Sequence, residues 1–172
     1  VFLTRTLPAH VPGLHCVHEP QGSRATLMLG NLRAVAGVGT GPLERRIAKG
    51  IADRFEATPR GQRYVEINPM LCSVADLLPD LVEPLHVVHL VRHPVGWVQS
   101  IRAFRASGFR RYLIDHVPFG NPAPTPRPPG WLGYDQTQKA LWRWTACNEA
   151  IEALEPRCAA YTRIRYEDLF LA

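Results

Sequence analysis

"HVVHLVRHPVGWVQS", residues 86–100, sets an apolar run against a helix start, with an arginine at the joint. The run "HVVHLV" (86–91) is β-branched and apolar, the composition of a strand. Pro94 suits the first position of a helix, and Gly108 suits its C-terminal stop. A strand requires no terminal Arg92, and a helix requires no Ser100 two turns in. Both residues at one strand–helix corner point to a ligand.

Other short runs surround this corner. "GLHCVH" (13–18), "RYVEIN" (63–68) and the alternating "AYTRIRY" (160–166) read as strands. Helical patterns occupy 42–57, 73–81, 94–107 and 134–154, and "GVGTGP" (37–42) reads as a turn. Ser73 and Asp76 have the spacing of a capping box, with Asp in place of Glu. In the longest helix Leu141, Trp144, Cys147, Asn148, Ile151 and Leu154 recur at three and four, which predicts a core face. Strands alternating with helices imply βα units, hence an α/β domain with a parallel sheet covered on both faces. A single domain over 1–172 is expected, with no internal repeat.

Composition narrows the function. The 172 residues are 46% hydrophobic and 20% charged, enough for one packed core and against disorder. No stretch approaches the ~18 uninterrupted apolar residues of a membrane span, and no signal-peptide pattern opens the chain, which says little about targeting in a sequence that starts at Val1. The first residue is Val1, so the gene is expected to begin upstream. The net charge of +5 is carried by arginine, with Lys49 and Lys139 the only lysines. Arginine forks match phosphate oxygens, which suits an anionic ligand, although a preference for Arg codons explains the same excess. The basic residues form no stripe interleaved with aromatics, so nucleic acid is not expected as a partner. Cys16, Cys72, Cys147 and Cys158 make no CxxC pair. They read as small buried hydrophobes in a reducing, cytoplasmic setting, with neither a metal site nor a disulfide framework.

In an open parallel sheet, ligands sit beyond the C-terminal ends of the strands. Arg92 falls there, and the helix starting near Pro94 aims its free N–H groups at the same crevice. His93, Gly96 and Ser100 share one stripe of that helix by spacing, and Gly96 has no side chain to obstruct Ser100. A carboxylate partner for Arg92 and a back-bond for Ser100 explain the same residues without a ligand.

The segment "LVRHPVGWVQS" resembles the 3′-phosphate-binding segment of the sulfotransferases that use 3′-phosphoadenosine 5′-phosphosulfate (PAPS). In that family a strand leads into Arg-x-Pro or a close variant, and a Ser follows eight residues after the Arg. "PGLHCVHEP" and "YVEINPML" resemble the family's second-strand region, where a Glu-Pro follows the strand, and its next strand. "WRWTACNEAIEAL" and "RIRYEDLF" resemble the long helix and Tyr-Glu-Asp-Leu strand late in the domain, so the resemblance touches roughly 15–170. It implies a P-loop-NTPase-like three-layer sandwich, PAPS as cofactor, and Arg92 and Ser100 as its cofactor-binding residues. No metal is implied. The activity implied is transfer of a sulfuryl group to a hydroxyl, with carbohydrates among the acceptors. By the same resemblance Glu19, in the Glu-Pro after the first strand, is the catalytic general base. Such a base needs a raised pKa, and pairing of Glu19 with an arginine is the plainer alternative. Strand alternation sets His18 on the face opposite Glu19.

The chain departs from the family at its Gly- and Ser/Thr-rich 5′-phosphosulfate loop, and no GxxxxGK[ST] motif replaces it. "VFLTRTLPAH" looks like the end of the helix that follows that loop. The chain is therefore expected to be a fragment cut at both ends and inactive alone. A P-loop kinase or nucleotide hydrolase of related fold, and a non-catalytic nucleotide-binding module, remain the alternatives. Tyr166, Glu167 and Asp168 are expected to be structural, Trp144 to sit in the core, and Trp142 to pack, with lining of a sugar or adenine pocket as its alternative. The Pro-rich stretch 115–134 reads as an irregular connection or a lid. Arg102, Arg105, Arg110 and Arg111 read as a solvated face or a steering patch for an anion.

Overall fold

A computed structural model describes residues 2–103, 116–117 and 126–170. The chain opens with α1 (Phe2–His10), β1 (Leu14–His18), α2 (Ser23–Ala36), α3 (Gly41–Glu56) and β2 (Arg63–Ile67). A 3-10 segment (Pro69–Leu77) and the short α4 (Leu78–Leu81) lead to β3 (His86–Val91) and α5 (Pro94–Ala103). The described chain then resumes with α6 (Gln136–Glu152), β4 (Ala160–Arg165) and a 3-10 turn at Tyr166–Phe170. Gly108 and the end of the helix expected to 107 lie outside the described residues, as does the middle of the Pro-rich stretch.

The strands form two parallel pairs. β1 runs beside β2, from Leu14 opposite Arg63 to His18 opposite Ile67. β3 runs beside β4, from His86 opposite Ala160 to Val91 opposite Arg165. Among the described residues no ladder joins the two pairs. The fold is thus mixed helix and strand, with small parallel sheets flanked by helices, as expected of an α/β chain. Burial on both faces is not met in β3. His89, which bonds Asn148 of α6, and Val91 are buried, whereas Val88 is 68% exposed.

The main core lies between α2, α3 and the 3-10 segment. Ile47, Ile51 and Val74 form its centre, and Leu29, Leu71, Leu77, Leu78, Leu81 and Val82 close around it. Helix α3 buries a stripe at helical spacing, Ile47, Ile51 and Arg54. Helix α2, which the apolar pattern does not reveal, buries Ser23, Thr26, Leu27, Gly30 and Asn31 instead. Its larger apolar residues Met28, Leu32 and Val35 face outward. Small residues let the helix come close to the 3-10 segment: a Cβ on Gly30 would lie 2.6 Å from the Ser73 carbonyl oxygen and from Val74 Cγ1.

Two local expectations are corrected. No helix starts at Ser73, because the 3-10 segment has already begun at Pro69, capped by the Asn68 side chain, which accepts from Met70 N at 3.0 Å. Ser73 donates to the Met70 carbonyl, and Asp76 pairs with Arg33 rather than closing a capping box. Leu141 is 42% exposed and so lies off the core face, which Ala140, buried at 2% exposure, occupies in its place. Helix α6 carries a capping box at Asp135 and Gln138: Asp135 Oδ1 accepts from Gln138 N at 2.8 Å, and Gln138 Oε1 accepts from Asp135 N at 2.8 Å.

Candidate functional site

The strand–helix corner forms as the local chemistry dictates. β3 ends at Val91 and α5 begins at Pro94, leaving Arg92 and His93 as the link. The Arg92 backbone is anchored by α6, since Trp144 Nε1 donates to its carbonyl at 2.9 Å. Its side chain is half-buried and lies along the first turn of α5. A Cβ at Gly96 would sit 3.6 Å from Arg92 Nε and 3.8 Å from Nη2. The guanidinium also lies over Tyr166, 5.1 Å from the ring centroid, so an aromatic face fixes its plane. Ser100 is exposed one turn beyond Gly96, on the same stripe. The arginine and the serine thus share one side of α5, with a residue lacking a side chain between them.

The segment after β4 completes this corner. Glu167 Oε1 accepts from the backbone N–H of His93 at 2.9 Å. That hydrogen bond, with a further backbone N–H and the nearby His93 and Arg92 charges, holds the Glu167 carboxyl below its usual range. Asp168 pairs with Arg165 at 2.9 Å. Tyr166 and Glu167 therefore tie the end of β4 to the start of α5.

Glu19 belongs to a second corner, at the end of β1. It is exposed, and its φ of 44° is a left-handed conformation that is uncommon for a side-chain-bearing residue. Its N–H donates to Ile67 O at 3.2 Å. Glu19, Gln21, Gly22, Ser23, Arg24 and Met70 border a depression of about 240 Å³ that includes neither Arg92 nor Ser100. Beneath it lies a buried polar network. Arg54 Nη1 donates to Glu66 Oε1 at 2.9 Å and its Nη2 to Thr26 Oγ1 at 2.6 Å. Tyr64 Oη donates to Glu66 Oε2 at 2.8 Å, and Asn68 Nδ2 donates both to Glu66 Oε1 at 2.7 Å and to Ser23 Oγ at 2.9 Å. Ser23 Oγ in turn donates to Pro20 O at 2.6 Å, which fixes the turn carrying Glu19. Burial and the Glu66 carboxylate push the Tyr64 phenol up.

Arg92 and Ser100 are brought onto one face; Glu19 stands at the end of a strand in the other pair. His18 is exposed, and His15 is tilted against Tyr64 with ring centroids 6.2 Å apart. Trp142 packs edge-on against Trp131 at 5.1 Å, the packing role expected of it. Trp144 does more, through its bond to the Arg92 carbonyl. Sequence spacing could not reveal that bond, because 52 residues separate the two. Arg102 is exposed on α5, while Arg105, Arg110 and Arg111 lie outside the described residues. No cluster of three or more His, Cys, Asp or Glu that could hold a metal occurs among the described residues, and no described helix is long and apolar enough to cross a membrane. Comparison with known proteins returns no match: no family model, curated protein or solved structure matches the chain.

Proposed function

We propose that this chain forms part of a PAPS-dependent sulfotransferase domain of P-loop-NTPase-like, three-layer architecture. The observation carrying this reading is the Arg92 guanidinium laid along Gly96, with Ser100 exposed four residues further along the same helix, where a parallel strand meets a helix N-terminus. A 3′-phosphate suits that arrangement. Arg92 offers paired N–H donors whose plane Tyr166 fixes, Ser100 offers an O–H, and the open turns of α5 favour negative charge. PAPS, when bound, supplies the sulfuryl group. Arg92 and Ser100 bind and orient the nucleotide, and Glu19 takes the proton from the acceptor hydroxyl. The strained backbone of Glu19 supports this role, because such conformations concentrate at functional sites where the surroundings hold them in place. An acceptor of the carbohydrate class and a cytoplasmic setting belong to the same proposal.

The test is a calorimetric titration of the full-length protein with adenosine 3′,5′-bisphosphate and, in parallel, ADP. Tighter binding of the bisphosphate supports the sulfotransferase reading. A preference for ADP favours a kinase or nucleotide hydrolase, and binding of neither favours a non-catalytic module.

A further inference from the structure

The geometry points to a redox-responsive thiol pair, Cys72 with Cys147, that closes to a disulfide under a peroxide oxidant and cross-links the 3-10 segment after β2 to α6. Their sulfurs lie 3.2 Å apart across 75 residues of chain, on two elements that pack together. Closing to a disulfide bond of roughly 2.05 Å needs only a movement of about 1.2 Å, within reach of small side-chain rotations. Cys72 is 5% exposed, yet it borders a cleft of about 290 Å³ that also touches Arg33, Asp76, Ala150, Leu154 and Arg157. The cleft gives a small solute a path to Cys72, beside which lies the half-buried Cys147. Its arginines are held in place: Arg33 by both oxygens of Asp76 at 2.6 Å, and Arg157 by the Asp76 carbonyl at 3.0 Å.

The surroundings favour Cys147 as the attacking sulfur. A hydrogen bond from the Cys72 thiol and the nearby Arg143 charge stabilise its thiolate, while that hydrogen bond and burial keep Cys72 protonated. The Cys147 thiolate attacks one peroxide oxygen, the O–O bond breaks, and hydroxide leaves to be protonated to water. The resulting sulfenic acid is attacked by the Cys72 sulfur, whose proton goes to the departing hydroxide as a second water. Two thiols and one hydrogen peroxide thus give one disulfide and two waters. The cross-link falls one turn from Trp144 and next to Asn148, the residues that hold the Arg92 carbonyl and His89. Oxidation therefore stiffens the support of the β3–α5 corner, whatever ligand that corner takes.

Peptide mapping after mild hydrogen peroxide treatment tests the pair, on the wild-type protein and on a Cys16→Ser/Cys158→Ser variant. Trypsin places the two sulfurs in separate peptides, 64–92 and 144–157. Both proteins should yield these two joined, with the loss of two hydrogens and release by dithiothreitol. Cross-linking should run at least about tenfold faster in the folded protein than in urea, because folding sets the sulfurs side by side. Cys147→Ser should abolish the joined peptide. Sulfinic acid without a cross-link, a disulfide to another cysteine, or equal rates in the folded and unfolded chain would overturn the assignment. If Cys147→Ser does not fold, the mapping and the rate comparison on the Cys16→Ser/Cys158→Ser protein decide alone.

Discussion

Arg92 is held through its carbonyl by Trp144 and through its side chain by the Gly96 surface and the Tyr166 ring. None of these contacts carries a negative charge, and among the described residues Arg92 makes no ion pair, although its charge acts on the nearby Glu167 carboxylate. Arg92→Ala should therefore weaken adenosine 3′,5′-bisphosphate by roughly 10- to 100-fold, the worth of charge-assisted hydrogen bonds, and leave ADP binding little changed. Calorimetry on the variant, with circular dichroism to show that it folds, measures both. His89 has the opposite character. It is 2% exposed, with Nε2 donating to Asn148 Oδ1 at 2.8 Å and Nδ1 accepting from Tyr161 Oη at 2.7 Å. Asn148 is oriented by its own donation to Trp144 O at 2.6 Å, which satisfies the neutral ring. Burial, aided by the Arg163 charge, lowers the His89 pKa from its usual 6.5. Below that value the unfolded chain takes up a proton that the folded chain resists, so stability falls as pH falls toward the folded pKa. Urea unfolding at about pH 7 and about pH 5.5 should show a loss of up to about 1.4 kcal/mol per pH unit, and His89→Gln should flatten it. In the sequence His89 was only a polar residue in an apolar strand; its partners stand 59 and 72 residues away.

Helix α2 shows why an element can escape a pattern search. Its buried positions are Ser23, Thr26, Leu27, Gly30 and Asn31, so four of its five inward residues are small or polar. The stripe of Met28, Leu32 and Val35 that a periodicity argument would turn inward faces out. Close backbone approach and polar bonding replace apolar burial on this face. Gly30→Ala should destabilise the protein by roughly 1–3 kcal/mol in urea, because its Cβ meets a backbone carbonyl that cannot yield. The better helix propensity of alanine, about 1 kcal/mol, recovers only part of this. The Arg54–Glu66 pair lies in the same layer, its side chains 7% and 10% exposed. Arg54→Ala leaves a buried carboxylate without its counter-charge and should cost about 3–5 kcal/mol, measured by the same unfolding assay. By contrast α3 and α6 were legible, because both carry apolar residues at helical spacing.

The two parallel strand pairs meet through the 3-10 segment and α6, and the Cys72–Cys147 contact lies at that joint. A disulfide there closes a 75-residue span and restricts the unfolded chain, so the oxidised protein should gain about 4 kcal/mol against urea, lost on adding dithiothreitol. Unchanged stability in a protein shown to be cross-linked would mean that strain offsets the entropy. The sequence by itself determined the alternation of strands and helices, the four strand positions and the corner at Arg92, because these follow from periods of two and three to four residues and from the backbone preferences of proline. The eight-residue step from Arg92 to Ser100 is also local, and so the shared stripe was foreseeable. Tertiary structure alone decided which face of α2 turns inward, which carbonyl Trp144 grips, and which two of four scattered cysteines come together. Those outcomes depend on distances between residues far apart in the chain, and no local period encodes such a distance.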